Sequence, residues 1–218
     1  QRQMCIRDRV DADGNHTPVH LGIPGRHNVM NALAAATVAM RYGMAPETVA
    51  RILASQHTIS PHRMALSTVN REGTSFTLID DSFNANPDSM KAGLNGLKAW
   101  NSNDGKEPFR VALLGAMLEL GADETALHTS IGTYADELGI DAIIAVGSAQ
   151  DQHLDALAQA LADGARQSQS ASVDCVHDID AAEQLVIDLA RNHPDAVVLL
   201  KGSHASGLSA LAERWAKN

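Results

Sequence analysis

Short polar side chains concentrate in IDDSFNANPDS, residues 79–89, between an apolar run and a helical pattern. Asp81 ends a predicted strand, where its carboxylate could hold a ribose hydroxyl or a metal-bound water. Asn84 and Asn86 can each donate hydrogen bonds to a small polar ligand and accept them from it. A turn accounts for some of these residues, because Asn86 can cap the next helix and Asp81 can stabilise the turn. We interpret Asn86 mainly as a cap and expect Asp80 and Asp81 to contact a ligand.

A second group of candidate residues lies in LLKGSHASG, residues 199–207. Lys201 ends a predicted strand, and Gly202 and Ser203 begin a predicted helix. An ammonium group beside helix N–H groups is a reasonable anion site. The stretch is not a P-loop, because that phosphate-binding loop requires G-x-x-x-x-G-K-[ST], which does not occur in the sequence.

Other motifs for metal binding or nucleophilic catalysis do not occur in the sequence. The ten histidines include no H-E-x-x-H or comparable spacing, and His16, His20 and His62 are expected to face solvent or have structural roles. No G-x-S-x-G elbow or cysteine-nucleophile signature is found. Cys5 and Cys175 lie far apart, which indicates neither a disulfide framework nor a cysteine metal site. From the residues alone, the chemistry stays open.

Composition narrows the class of protein. The 218 residues are 44% hydrophobic and 20% charged, which is typical of a globular chain. A formal net charge of −9 argues against binding to nucleic acid or to an anionic membrane surface. No apolar run approaches the roughly 20 residues that span a bilayer, and no secretory signal is recognisable. We therefore predict a cytoplasmic protein with no nucleic-acid partner and no membrane insertion.

The elements that must position the candidate residues begin with two predicted helices. NVMNALAAATVAMRYG, residues 28–43, predicts a helix that ends at Gly43, and Pro46 opens a shorter one. SQHTISPHR, residues 55–63, then breaks the helical pattern with short polar residues and Pro61. We predict a domain boundary and a hinge in this stretch.

Strands and helices alternate beyond this boundary. MALSTVN and SFTLID predict a hairpin with Gly73 in its turn, and FRVALLGAM is apolar enough for a buried parallel strand. The spacing of Asp180 and Glu183 predicts the N-terminus of a later helix. The pattern indicates an α/β, Rossmann-like fold with a mainly parallel sheet and helices on both faces. In such a sheet DDSFNANP, LLGAMLELG and LLKGSHASG could meet in one crevice, where the strands end.

The N-terminal stretch QRQMCIRDR differs in character from the rest of the chain. It is dense in arginine and shows neither helical nor strand periodicity. We interpret residues 1–9 as a non-native leader, resembling translated adapter sequence at the end of a gene fragment, and leave them out of the prediction of the fold. A flexible native leader is the alternative. The non-native interpretation also suggests that an N-terminal part of the protein is missing.

Four motifs together resemble the Mur ligase family: GRHNVMNALAAA, LIDDSFNANPDSM, LLGAMLELG and VLLKGS, in this order and spacing. The resemblance covers about residues 16–218. DDSFNANPDSM is the most specific motif, since it is similar to the members that add D-alanyl-D-alanine. The resemblance implies that residues 10–59 are the end of the family's central ATPase domain and that residues 60–218 are its C-terminal Rossmann-like domain.

The resemblance also implies roles for individual residues. It places one group at ATP, with adenine contacts from the first three: His27, Asn28, Asn31, Arg63 and Asp81. It places a second group at the incoming dipeptide: Asn84, Asn86, Lys201 and Ser203. For Asn28 and Asn31 the alternative is helix capping. No catalytic residue and no metal ligand of the family is expected in this chain.

The family's reaction is ATP-driven amide formation. The implied partners are a UDP-N-acetylmuramoyl-tripeptide and D-alanyl-D-alanine, and the implied cofactors are ATP and Mg²⁺. The P-loop, a carbamylated lysine and the Mg²⁺ ligands would all lie ahead of residue 1, so we expect the chain alone to be inactive. The full enzyme is expected to be a monomer.

Two residues depart from the family's motifs. Phe83 stands where the family has tyrosine, and Ala116 stands where it has aspartate. Phe83 keeps the ring without the hydroxyl, whereas Ala116 removes a carboxylate. Two other function classes remain: a related ligase such as folylpolyglutamate synthase, which should not carry NANPDSM, and a non-catalytic module that binds a nucleotide or a protein.

Overall fold

The chain divides into two compact units, Gln1–Pro61 and His62–Asn218, here called unit 1 and unit 2. The computed structural model describes residues 4–10, 16–21, 26–56, 62–101, 107–168 and 171–217. Most of the predicted linker, residues 57–61, lies outside the described residues. The division assigns the last two linker residues, His62 and Arg63, to unit 2.

The described residues of unit 1 form two strands and two helices. Strand β1 spans Met4–Val10 and pairs antiparallel with β2, His16–Leu21. Helix α1 spans Arg26–Arg41 and α2 spans Pro46–Ser55. Residues 4–9 nevertheless belong to a strand, because backbone hydrogen bonds to β2 form it although the sequence shows no strand periodicity there. That they are non-native stays a prediction.

The helices of unit 1 follow the sequence signals. Gly43 has a φ of +88° just beyond α1, in the left-handed region that glycine adopts without a steric penalty. Pro46 is the first residue of α2, where its missing N–H leaves no helical bond unmade. A small apolar cluster combines Val19, Leu21 and Ala32 with partly buried neighbours.

The described residues of unit 2 form six strands: β3 Ala65–Arg71, β4 Thr74–Asp81, β5 Arg110–Gly115, β6 Ala142–Val146, β7 Ser172–Val176 and β8 Val197–Lys201. They make one sheet with the order β3-β4-β8-β5-β6-β7. Strands β3 and β4 are antiparallel, and every other neighbouring pair is parallel. Glu72 and Gly73 form the turn between β3 and β4 with φ values of +46° and +78°, as a two-residue hairpin turn requires.

Five α-helices cover the two faces of this sheet. They are α3 Pro87–Lys98, α4 Glu124–Glu137, α5 Gln152–Ala165, α6 Ile179–Asn192 and α7 Leu208–Ala216. Short 3₁₀ helices, Gly121–Asp123 and His204–Ser206, precede α4 and α7. The predicted α/β, Rossmann-like fold with a mainly parallel sheet is confirmed.

Alternating side chains of the strands feed two separate cores. In β5, Ala112 and Leu114 pack in the core that α3, α4 and α5 cover. Val111 and Leu113 point the other way, into the core that α6 and α7 cover. Because every residue of β5 is buried, its sequence is continuously apolar after Arg110, as expected for a strand covered on both faces.

The N-terminus of α6 differs from the prediction. Asp178 is its N-cap, with a carboxylate that accepts a hydrogen bond from the Ala181 N–H at 2.7 Å. The predicted start at Asp180 is therefore two residues late. Both Asp178 and Asp180 could cap a helix, and Asp178 is the one that does. Among the described residues, no helix has both the length and the apolar character needed to cross a membrane.

Candidate functional site

The candidate site lies where β4, β8 and β5 end. Asp81 pairs in register with Lys201, and Lys201 pairs with Leu114. The three polar stretches that follow these neighbouring strands therefore emerge side by side, as the sequence predicted. We call this line of strand ends, Asp81, Lys201 and Gly115, the carboxyl edge.

The side chain of Lys201 is buried, with only 2% of it exposed. Its Nζ is 2.7 Å from Asp81 Oδ2 and donates a hydrogen bond to the Asn84 carbonyl oxygen at 3.0 Å. A Cβ added at Gly93 of α3 would come within 2.8 Å of Lys201 Cδ, so glycine leaves the room that the lysine stem occupies. The predicted anion site at Lys201 is wrong, because its ammonium group is buried and paired with a carboxylate.

Asp80 and Asp81 face opposite sides of β4 and have different partners. Asp80 is buried: its Oδ1 accepts hydrogen bonds from the Ser82 hydroxyl at 2.6 Å and the Ser82 N–H at 3.2 Å, and its Oδ2 lies 2.8 Å from His62 Nδ1. Asp81 is half-buried, pairs with Lys201, and accepts a hydrogen bond from the Met64 N–H at 3.3 Å. Asp80 therefore fixes the local backbone, and Asp81 is the carboxylate nearer to solvent.

The two asparagines of the loop after β4 are also used differently. Asn86 caps α3, since its Oδ1 accepts from the Ser89 N–H at 2.8 Å while the Ser89 hydroxyl accepts from the Asn86 N–H at 3.0 Å. The interpretation of Asn86 as a cap is confirmed. Asn84 is exposed, and its Oδ1 accepts from the Ala85 N–H at 2.8 Å. Ligand contacts of both residues stay predictions.

Ser203 joins the loop after β8 to the loop after β5. Its N–H donates to the Ala116 carbonyl oxygen at 2.9 Å. Its Oγ is buried and has no hydrogen-bond partner within the described part of the chain. Ala116 is itself only 1% exposed, so the methyl group that replaces the family's carboxylate is covered by protein.

The remaining predicted residue of unit 2, Arg63, is exposed and stacks on an aromatic ring. Its Cζ lies 4.4 Å above the centroid of the Phe83 ring, and 47% of Phe83 is exposed. Arg63 thus approaches the loop after β4 from residues 62–64, which precede β3. The structure brings together the unit 2 residues predicted for the site: Arg63, Asp81, Asn84, Asn86, Lys201 and Ser203.

The three predicted residues of unit 1 lie in the first turns of α1. Asn28 is buried at 6% exposure, and Asn31 is exposed. The side chain of His27 lies outside the described residues. Because Asn28 and Asn31 are three residues apart, both fall near one another on the helix surface. Their adenine contacts stay predictions.

His128, which was not predicted from the sequence, orients the loop after β5. This residue is fully buried in α4, its Nε2 accepts a hydrogen bond from the Met117 N–H at 2.9 Å, and its Nδ1 lies 2.7 Å from the Glu124 carbonyl oxygen. Burial lowers the pKa of His128, which keeps the imidazole neutral and able to accept that bond. Its position three residues before the buried Ile131 is the only signal that could have revealed it.

Other features of unit 2 contribute little to a site. No cluster of three or more His, Cys, Asp or Glu side chains in the described residues could hold a metal ion. Burial raises the pKa of the Cys175 thiol, and the charge of Asp155 raises it further, so the thiol is protonated at neutral pH. A cavity of about 230 Å³ lined by Thr68, Trp100 and Val197 lies at the opposite edge of the sheet, where β8 begins.

Comparisons with known proteins agree with this architecture. The family description "Mur ligase, glutamate ligase domain" matches residues 62–204. A UDP-N-acetylmuramoyl-tripeptide–D-alanyl-D-alanine ligase of Mycobacterium tuberculosis is 39% identical over 213 residues, which are 95% of this chain and 41% of the relative. The ligase of the same name from Escherichia coli is 35% identical over 129 residues, 59% of this chain and 26% of the relative. This chain therefore spans about two fifths of the mycobacterial relative.

Solved structures show the same fold. MurF from Acinetobacter baumannii has a TM-score of 0.76 and 24% identity, covering 98% of this chain and 45% of that chain. MurF from Thermotoga maritima in complex with ADP has a TM-score of 0.66 and 21% identity, covering 96% of this chain and 42% of that chain. Since the family description spans most of unit 2, including the carboxyl edge, the chain belongs to the Mur ligase family.

Proposed function

We propose that this chain is part of an ATP-dependent amide ligase that joins D-alanyl-D-alanine to a UDP-N-acetylmuramoyl-tripeptide, a step in making peptidoglycan precursors. The observation that carries the proposal is the 39% identity to the mycobacterial ligase of that name, because it runs through 95% of this chain. The three polar loops at the carboxyl edge support it, since ligands bind at this edge in open α/β sheets.

The chemistry of the reaction explains its need for ATP. A carboxylate is a poor electrophile, because its oxygen is a poor leaving group. Transfer of the γ-phosphoryl group to the terminal carboxylate of the tripeptide releases ADP and forms an acyl phosphate. The amine of D-alanyl-D-alanine then attacks the acyl carbon, and phosphate leaves. Catalysis of phosphoryl transfer depends mainly on positioning and on cationic groups that offset charge.

On the nucleotide side of the site, unit 2 supplies Arg63 and Asp81. Arg63 is exposed and has no carboxylate partner among the described residues, so its guanidinium group is available to a phosphate. Asp81 would accept a hydrogen bond from a ribose hydroxyl, while Lys201 offsets its charge. His27, Asn28 and Asn31 would contact adenine.

The dipeptide side would lie on the loops after β4 and β8. Asn84 is exposed at the carboxyl edge, and its amide nitrogen could donate to the dipeptide. Asn86 and Ser203 would lie beside it, the latter with a hydroxyl group that no described residue satisfies. Lys201 would act indirectly, through its bonds to Asp81 and Asn84.

The described residues do not fit Mg²⁺. Asp80 and Asp81 are the two carboxylates adjacent in sequence at the carboxyl edge, but Asp80 binds His62 and Ser82 and Asp81 binds Lys201. Magnesium prefers oxygen ligands in near-octahedral geometry, and neither carboxylate lies in a cluster of such ligands.

The domain organisation, the oligomeric state and the location of the full enzyme are part of the same proposal. Residues 10–59 would be the end of a central ATPase domain and residues 60–218 the C-terminal domain of a monomeric cytoplasmic ligase. The 218-residue chain would neither hydrolyse ATP nor form the amide bond, because the sequence contains no P-loop to position the γ-phosphate.

Steady-state kinetics on a chimera test this function. Residues 10–218 would be placed behind the part of the Mycobacterium tuberculosis relative that this chain does not match. We expect ligation of D-alanyl-D-alanine by the chimera and none by the 218-residue chain alone. ATP turnover with another acceptor would favour a ligase of the folylpolyglutamate synthase type, and ATP binding without turnover would favour a non-catalytic module.

Two substitutions separate the two sides of the site. Asp81→Ala should raise KM for ATP, and Asn84→Ala should raise KM for D-alanyl-D-alanine, each lost contact costing about 1–3 kcal/mol. Asp174→Ala on β7 and Asn70→Ala on β3 are the matched controls. An unchanged KM for ATP in the aspartate variant, or for the dipeptide in the asparagine variant, would contradict that assignment.

A further inference from the structure

Residues 62–64, which lead into β3, are bound to the loop after β4 by several contacts. His62 Nδ1 lies 2.8 Å from Asp80 Oδ2, and the His62 carbonyl oxygen accepts a hydrogen bond from the Phe83 N–H at 3.1 Å. The Met64 N–H donates to Asp81 Oδ1 at 3.3 Å. Contacts therefore hold this segment on both sides of Arg63.

The backbone on both sides of Arg63 is unusual. His62 has a φ of +59° and Met64 a φ of +49°, which are left-handed values that non-glycine residues seldom adopt. Such conformations persist where the surrounding structure fixes them, and they concentrate at functional sites. The contacts of His62 and Met64 provide this fixation, so Arg63 leaves the backbone in a defined direction.

Phe83 then supports the end of the Arg63 side chain. The guanidinium carbon lies 4.4 Å above the ring centroid, a cation–π distance. Both side chains are exposed. The ring lies beneath the guanidinium carbon, and no carboxylate of the described residues pairs with Arg63, so its N–H groups are available to bind an anion with two parallel hydrogen bonds.

We propose that His62, Asp80 and Phe83 are positioning residues that hold the Arg63 guanidinium group ready for a phosphate group. The identity of the phosphate as part of ATP rests on the proposed function, whereas the positioning does not. Asp80 is suited to this role because one carboxylate oxygen binds His62 and the other binds Ser82. The adjacent carboxylates Asp80 and Asp81 then have separate tasks: one positions Arg63 and the other faces the ligand.

The positioning is tested first by NMR of the 218-residue chain without nucleotide. An aromatic ring beneath a guanidinium group shifts the Arg63 Hδ and Hε signals upfield, so these shifts report the stack. We expect His62→Ala and Asp80→Asn to move both signals toward the values of a free arginine. His177→Ala is the matched control, because His177 Nδ1 forms a comparable pair, 2.6 Å from Asp155 Oδ1, away from Arg63. Unchanged Arg63 shifts in both variants would overturn the proposal.

Substitutions of Phe83 test the same stack without altering a buried side chain, so the result does not depend on whether Asp80→Asn folds. Because 47% of Phe83 is exposed, Phe83→Leu should leave the fold intact while it abolishes the upfield shift. Phe83→Tyr should restore the shift, since the ring is retained. An upfield shift that persists in Phe83→Leu would show that the ring does not support Arg63.

The ligand is tested by titrating ATP into the same chain and following the Arg63 signals. We expect His62→Ala and Asp80→Asn to raise Kd about three- to tenfold, and Phe83→Leu about two- to fivefold, as for an exposed cation–π contact. In an Arg63→Met background these substitutions should have no further effect, because they act through Arg63. Equal effects in that background, or tighter binding by Phe83→Leu, would overturn the proposal. If the wild-type chain, which has no P-loop, does not bind ATP, the same Kd values are compared in the chimera. Failure of the chimera to bind ATP would contradict the proposed function, and the shifts measured without nucleotide would still decide the positioning.

Discussion

The two units of this chain differ in how completely they cover their apolar side chains. In unit 2, the central strands are buried between helices on both faces, and Leu113, Ile143 and Leu199 have no exposed surface. In unit 1, the described helices leave Met30, at 66% exposure, and Tyr42, at 88%, largely open to solvent. Among the described residues, five of the exposed large hydrophobic side chains belong to unit 1 and two to unit 2.

Most of the stability of the chain is therefore expected to come from unit 2. The free energy of burial grows with the apolar area removed from water, so two cores on a six-stranded sheet should dominate. The cluster of unit 1 has three buried residues among those described. The units also differ in buried charge, since Asp80, Arg110, Asp136 and Lys201 are the buried charged residues of the described chain and all lie in unit 2.

The largest loss of unfolding free energy is expected from a substitution in the centre of unit 2. Leu113→Ala should lower the free energy of unfolding of this unit by about 3–5 kcal/mol, because it leaves a cavity in a close-packed core. Urea unfolding followed by tryptophan fluorescence measures it, since both tryptophans, Trp100 and Trp215, lie in unit 2. Leu66→Ala, at 44% exposure, is the control and should cost far less. Similar losses of unfolding free energy in Leu113→Ala and Leu66→Ala would contradict the conclusion that the buried cores stabilise unit 2.

A smaller loss is expected from the buried ion pair. Lys201→Met should destabilise unit 2 by about 3 kcal/mol, since it leaves Asp81 without its partner while 17% of that side chain is exposed. The double substitution Lys201→Met with Asp81→Asn should recover most of the loss, because no unpaired charge remains. The same urea experiment distinguishes the outcomes. A double variant no more stable than the single one would show that the lysine stabilises the loop mainly through its carbonyl contacts.

The sequence predicted the features of unit 2 that depend on local patterns. The hairpin turn at Gly73, the cap at Asn86 and the continuous apolar strand before Gly115 follow from residue type and spacing. They place three polar loops at one edge of the sheet, so the region of the site was also predictable from the order of strands and helices.

The rest depends on partners distant in sequence. Lys201 ends a strand, where a lysine is ordinarily expected to reach solvent, and its burial depends on Gly93, over 100 residues earlier. Asp80 and Asp81 have different roles because they have different partners: Asp80 pairs with His62 on one side of β4, and Asp81 pairs with Lys201 on the other. Strand β1 depends on pairing with β2, and pairing of this kind leaves no periodicity in QRQMCIRDR.

A third prediction concerns pH and again involves unit 2. Burial lowers the folded-state pKa of His128 below its ordinary value of 6.5. The unfolded chain therefore binds a proton more readily, so the stabilisation from neutral His128 is present above pH 6.5 and is lost as the pH falls through the folded-state pKa.

His128→Gln should remove this part of the pH dependence, because glutamine does not titrate. Urea unfolding between pH 7.5 and 5 measures it, with the exposed residue His177→Gln as the control. A wild-type chain whose unfolding free energy falls no more steeply toward pH 5 than that of His128→Gln would contradict the assignment.

The smallest effect is expected on the open surface of unit 1. Val38 is 57% exposed in α1, so Val38→Ala removes little buried area and replaces a β-branched residue with a better helix former. We expect a change below about 0.5 kcal/mol, toward greater stability of α1. Val49→Ala in α2 is the matched control, because Val49 is only 6% exposed and loses two buried methyl groups at about 0.8 kcal/mol each. Hydrogen exchange of the α1 and α2 amides measures both, and a destabilisation by Val38→Ala as large as that of Val49→Ala would mean that Val38 is covered in solution.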